Sequence, residues 1–132
     1  MSKKTILVTS ASGSGFPSFG RYLKRLGKGF RIIGTSSERE TMGFSFIDKG
    51  YFVSQPEDKN YVDDLLRICK KEKVIILIPI DPRELISIAS NKDKFEKIGT
   101  LVLLSSLESI QIAEDKERFF VFCKEKGIPV PD

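Results

Sequence analysis

Tyr61-Val62-Asp63-Asp64-Leu65-Leu66-Arg67-Ile68-Cys69-Lys70-Lys71 runs, after a two-residue break, into Val74-Ile75-Ile76-Leu77-Ile78-Pro79-Ile80-Asp81-Pro82. In the first segment Tyr61, Val62, Leu65, Leu66 and Cys69 fall on one helical face, and Asp63, Asp64, Arg67, Lys70 and Lys71 on the other. In the second, Val74 to Ile80 is nearly all apolar, which reads as an interior strand buried on both faces. Pro79 interrupts or ends that strand, and Asp81 is placed to cap a helix with Pro82 at its first position.

The same alternation extends in both directions. Towards the N-terminus, Thr5-Ile6-Leu7-Val8-Thr9 reads as a strand, Pro17–Leu26 as a helix through Phe19, Tyr22, Leu23 and Leu26, Phe30–Gly34 as a strand, and Tyr51-Phe52-Val53 as a short third strand. Ser37–Gly50 is ambiguous between a short helix and an irregular turn. Towards the C-terminus follow a helix over Arg83–Ser90, a strand over Leu101–Leu104, a short helix near Ser106–Ala113 and a charged final helix ending at Lys126-Gly127. Strands alternating with helices imply a parallel sheet with helices on both faces, so the expected fold is α/β, a Rossmann-like three-layer sandwich. Gly127 can close the last helix in a left-handed conformation, and Ile128-Pro129-Val130-Pro131-Asp132 favours an extended exit. The expected organisation is one domain over residues 1–127, with 128–132 beginning a linker into a further domain.

Composition narrows the class. With 132 residues, 40% hydrophobic and 30% charged, the chain suits one globular domain with a real core. No apolar run approaches the ~20 residues of a membrane span, and Met1–Thr5 leads straight into a strand, so a cytoplasmic location is expected. Cys69 and Cys123 fall among apolar neighbours and read as buried free thiols; with no histidine, a zinc site is not expected. Residues 1–37 carry +7 and the remainder −3. That field favours phosphates, or is a solvated helix face; without an arginine-rich stripe interleaved with aromatics, nucleic acid is not the expected partner.

In doubly wound sheets ligands sit beyond the carboxyl ends of the strands, and four places there carry candidate chemistry. Ser10-Ala11-Ser12-Gly13-Ser14-Gly15 lets a backbone approach a ligand closely ahead of a helix N-terminus. It is also a tight strand-to-helix turn and lacks a full dinucleotide fingerprint, since position 18 is Ser. Thr35-Ser36-Ser37 ends the second strand where an NAD-binding domain carries an acid. Ser36, Ser37 and Arg39 could instead grip the extra phosphate of NADP, or Ser37 could cap a short helix. Asp81 and Glu84 open the helix after the apolar strand, and Asp115 caps the last helix, leaving Lys116 in its first turn against the dipole. No tyrosine stands four residues before a lysine, so the catalytic pair of a redox domain is missing.

Ile6-Leu7-Val8-Thr9 with its Gly/Ser loop, Arg31-Ile32-Ile33-Gly34, Ile78-Pro79-Ile80-Asp81 with Glu84-Leu85, Gly99–Ser106, and Asp115-Lys116 followed by Gly127-Ile128-Pro129-Val130-Pro131 together resemble the N-terminal domain preceding the catalytic domains of ATP-grasp ligases. The resemblance is to proteins like the carbamoyl-phosphate synthase large subunit. It implies part of a carboxylate–amine ligase that works through an acyl phosphate and uses ATP and Mg²⁺ in the full-length enzyme. Lys116 matches the basic residue that contacts ATP phosphates. Ser12, Gly13 and Gly15 of the loop, with Asp81 and Glu84, are where the domain helps bind the acceptor substrate, a small carboxylate or amine. It further implies that the phosphate loop, adenine pocket and metal-binding carboxylates lie in a C-terminal ATP-grasp domain beyond Asp132, and that the isolated chain is inactive. A homo-oligomer through Phe44, Phe46, Phe119, Phe120 or Phe122 stays open. So do two other readings, an NADP-binding redox domain and a stand-alone domain for a small anion.

Overall fold

The computed structural model describes residues 3–131. Five strands alternate with helices: β1 Lys4–Val8, α1 Phe16–Leu26, β2 Phe30–Ser36, a 3-10 turn Met42–Phe46, β3 Lys49–Phe52, α2 Tyr61–Glu72 and β4 Val74–Ile78. Then come α3 Pro82–Ser90, α4 Lys92–Lys97, β5 Leu101–Val102, α5 Leu107–Glu114 and α6 Lys116–Glu125. All pairings are parallel and the strand order is β3-β2-β1-β4-β5. The direction of winding therefore reverses between β1 and β4, which places a crevice at their carboxyl ends.

Period-two alternation distributes β1 between two cores. Leu7 joins Ile33, Leu77, Leu65, Ile68 and Phe95 on one face, under α2, α3 and α4. Ile6 and Val8 join Phe16 and Ile32 on the other, under α1 and the 3-10 turn. Covering is uneven on this second face. Ile6, Ile76 and Leu101 stand in register across β1, β4 and β5. Ile6 is buried, Ile76 half-buried and Leu101 53% exposed, as the row runs out from beneath α1.

Some elements differ from expectation. β4 stops at Ile78 and β5 at Val102, both shorter than the apolar runs suggest. No helix begins at Ser37; the Ser36 hydroxyl accepts the Glu38 N–H in a turn (2.9 Å), and the 3-10 turn starts only at Met42. α4 is unanticipated because Lys92-Asp93-Lys94-Phe95-Glu96-Lys97 has one apolar residue and no period, although that residue, Phe95, is fully buried. The last helix closes as expected. Gly127 takes φ +67°, its N–H donates to Lys124 (3.1 Å) and that of Ile128 to Cys123 (2.9 Å), the paired bonds of a left-handed helix stop. Both cysteines are free and buried, and burial pushes the Cys69 thiol up to about 12. No helix among the described residues is long and apolar enough to cross a membrane.

Candidate functional site

The β1/β4 register, Val8 beside Ile78, sets the end of β1 against the start of α3. The Thr9 N–H donates to the Ile78 carbonyl (3.2 Å), and the Ile80 N–H donates to the Thr9 hydroxyl oxygen (3.1 Å). Between them lies Glu84, wholly buried. Its Oε1 accepts from the Thr9 hydroxyl and from the N–H groups of Ile80 and Asp81, both at 3.0 Å. Its Oε2 accepts from the Tyr61 hydroxyl and, at 3.5 Å, from Ser10. One carboxyl group thus ties β1, α2 and α3 together at the switch in strand order.

Asp81 and Glu84 form a reciprocal cap. Asp81 accepts the Arg83 N–H (2.9 Å) while Glu84, three residues on, takes the Asp81 N–H. Asp81 also holds the Arg83 guanidinium, from Nη2 at 2.7 Å and Nε at 3.1 Å. The guanidinium pulls the Asp81 carboxyl below its ordinary range and is itself raised. Burial, reinforced by the Glu84 carboxyl, raises Tyr61 well above a free phenol, so its hydroxyl remains a donor.

Ser12, Gly13 and Gly15 sit exposed on the loop between β1 and α1. Gly15 occupies the N-cap of α1, and a Cβ built there meets nothing within 4 Å, so the space above the loop is open. Asp81 is half-buried at the same end of the sheet, whereas Glu84 is covered by its donors. Lys116 is exposed at the first position of α6, behind the Asp115 cap, and makes no ion pair among the described residues. Beside the start of α3, a broad hollow of about 720 Å³ is lined by Pro82, Leu85, Leu104, Ile110 and Ala113.

Thr9, Ser10, Tyr61 and Arg83 complete this constellation; the first two and Arg83 stand within the candidate stretches of the sequence but carry no role there, and Tyr61 stands outside them. Tyr61 counts as one apolar residue of the α2 face until β3 and β4 are placed. Its phenol reaches a residue 23 positions away. No group of three or more His, Cys, Asp or Glu converges among the described residues.

A family model described as PylC-like, N-terminal domain, matches residues 6–103. Among curated proteins, the carbamoyl phosphate synthase large chain of Clostridium acetobutylicum is 34% identical over 108 residues, covering 81% of this chain and 9% of the relative. That of Thermoplasma acidophilum is 27% identical over 132 residues, covering 80% of this chain and 13% of the relative. The chain therefore spans about a tenth of the length of these relatives. Solved structures with the same fold include the biotin carboxylase domain of a thermophilic 2-oxoglutarate carboxylase, with TM-score 0.70 and 17% identity over 96% of this chain and 28% of that one. N5-carboxyaminoimidazole ribonucleotide synthetase from Thermotoga maritima gives 0.64 and 18% over 99% and 33%. A match over about three-quarters of the chain, on a sheet whose switch point carries the Gly/Ser loop and the Asp81–Glu84 cap, makes this chain a member of the PylC-like N-terminal domain family.

Proposed function

We propose that the chain is the substrate-side N-terminal domain of an ATP-dependent carboxylate–amine ligase. The family match over residues 6–103 carries this reading and lends nothing to the nicotinamide alternative. In such a ligase ATP phosphorylates a carboxylate, and an amine displaces phosphate from the acyl phosphate. This chain's part is binding and orientation. Ser12, Gly13 and Gly15 present an open backbone rim to the acceptor, and Asp81 offers a carboxylate oriented by Arg83. Glu84, covered on all sides, acts as a positioning residue that fixes Ser10 and Asp81 relative to each other. Lys116, exposed and without a carboxylate partner among the described residues, is suited to an ATP phosphate approaching from the next domain.

Residues 1–127 form the domain in this reading, and 128–132 enter the ATP-grasp domain that follows. The half-covered row Ile76 and Ile78, with Leu101 and Leu103 at 53% and 59% exposure, supports a neighbour on that face. The test is ADP release by the natural full-length polypeptide against a panel of small carboxylates and amines, beside residues 1–132 alone. Turnover by the former, lowered in kcat/KM by Asp81→Asn and Lys116→Ala, and none by the latter, is expected. ATP turnover by residues 1–132 with any small carboxylate overturns the reading.

A further inference from the structure

The carboxyl ends of β1, β2 and β3 enclose a narrow cleft that shares Ser12 with the proposed acceptor rim and otherwise lies apart from it. Ser10, Ser12, Thr35, Ser36, Ser37 and Ser54 line it, with Arg83 at the same opening. Most nearby polar groups are already committed. The Ser54 hydroxyl donates to Asp64 (2.7 Å), Tyr61 donates to Glu84, and the Thr35 carbonyl accepts the Ala11 N–H (2.7 Å). In its buried wall two hydroxyl protons are left over. Ser36 Oγ accepts the Glu38 N–H, so its own proton is unspent. Thr35 is completely buried, and its Oγ1 has no partner among the described residues.

A buried hydroxyl without a partner costs about 1–3 kcal/mol, and such groups in native folds are met by an unrecorded water or ligand. The chemistry here discriminates between visitors. The carboxylates beside the cleft, Glu84 and Asp64, are already covered by donors, and Arg83, held by Asp81 and, at 3.5 Å, by Glu57, keeps guanidinium N–H groups beyond those pairs, so what remains in the cleft is donors. Such a lining suits an acceptor oxygen, preferably a charged one, and gives an ammonium nothing. The void measures about 10 Å³, room for one oxygen atom. The body of any ligand must therefore lie outside, against the exposed Ser12 and Arg83.

We propose that this cleft seats one oxygen of a phosphate or carboxylate on a small ligand, with Thr35 and Ser36 donating to it and Arg83 facing its charge at the mouth. The seat names a ligand group and no reaction, so it stands or falls apart from the ligase reading. The test titrates ¹⁵N-labelled chain with inorganic phosphate and, separately, with acetate at constant ionic strength. Saturable shifts at the amides of Ser12, Thr35–Ser37 and Ser54 are expected. Saturation by phosphate marks a phosphate ester as the source, and by acetate a carboxylate. Thr35→Val, which keeps shape and removes the hydroxyl, should weaken binding roughly tenfold, and Thr35→Ser should restore it. If Thr35→Val does not fold, the exposed Arg83→Gln gives a second reading, and unchanged affinity there overturns the seat. Saturation by neither anion means a lone water fills the void and overturns it too. So do shifts confined to Arg21 and Arg25 on α1.

Discussion

Glu84 shows how much one side chain can organise. Its carboxyl group satisfies three hydroxyls and two backbone N–H groups drawn from three parts of the fold, in an interior where an orphaned donor is costly. Glu84→Ala is expected to lower unfolding free energy by roughly 3–5 kcal/mol, because several buried donors lose their acceptor at about 1–3 kcal/mol each, and Tyr61→Phe by about 1–2 kcal/mol. Urea denaturation of both checks this, and a loss below ~1 kcal/mol for Glu84→Ala would show that the carboxyl group is not the tie. Glu72, at the opposite end of the sheet, makes a pH-dependent contribution. The Tyr51 hydroxyl, then Arg31 and Lys49, pull its carboxyl from an ordinary 4.5 to about 2. Because the folded value is depressed, its stabilisation is complete above pH 4.5 and drains away as pH falls towards 2. Stability measured across that window should fall less steeply in Glu72→Gln than in the parent; equal slopes would remove Glu72 from the acid response.

Among the elements, the 3-10 turn is held by close approach rather than by propensity. Met42-Gly43-Phe44-Ser45-Phe46 has no cap bond from Thr41, and its glycine is buried against the loop after β1. A Cβ on Gly43 would overlap the Ala11 carbonyl oxygen and press on the Phe16 ring. The Thr41 hydroxyl already donates to that same carbonyl (3.2 Å). Gly43→Ala is thus expected to cost about 1–3 kcal/mol as overpacking. It should also disturb amide shifts at Ala11–Gly15, since the turn props the candidate acceptor loop. A calorimetric melt and a ¹H–¹⁵N spectrum measure both, and a change in stability with no shift in the loop would break the link. α6 is the contrasting case. Asp115 caps it by accepting the Glu117 and Arg118 N–H groups, both at 3.0 Å, yet only Cys123 on the helix is buried. Phe119, Phe120 and Val121 stay 38–48% exposed, so its local signals outrun its packing. Phe44 packs into the second core, whereas Phe46 carries Arg21 over its ring at 5.1 Å.

Over the whole molecule, the order β3-β2-β1-β4-β5 puts β1 at the centre and leaves β5 a two-residue edge. Helices α2, α3 and α4 fill one face, while α1 shields only the half of the other face nearest β1 and β2. An exposed apolar row on a short edge strand has little to lose from polar substitution in this chain alone. Leu101→Glu should change the stability of residues 1–132 by no more than about 0.5 kcal/mol, as at other exposed surface positions. In the full-length polypeptide, where the proposed neighbour covers that row, the same change should lower the melting temperature by several degrees. Equal effects in both would mean that nothing packs there.

Strands β1, β2 and β4, helices α1, α2, α3 and α6, and the α/β class were all legible along the chain, because each carries its own period or its own cap. Asp81-Pro82 announces the start of α3, and Gly127 the end of α6, through bonds that span only a few residues. α4 was hidden because six charged-rich residues with one phenylalanine have no period, and Phe95 earns its place only from β5 and α2. The candidate site divides in the same way. Ser12, Gly13, Gly15, Asp81 and Glu84 could be named from loop and cap chemistry, but that Glu84 faces inward, onto Thr9 and Tyr61, follows from parallel pairing of strands some 70 residues apart. The unpartnered hydroxyl of Thr35 belongs wholly to the fold: a threonine at a strand end is ordinary until neighbouring strands bury it and leave its Oγ1 without a partner among the described residues. Local chemistry writes caps and periods into the chain, whereas burial and pairing are properties of surfaces that meet only when the sheet closes.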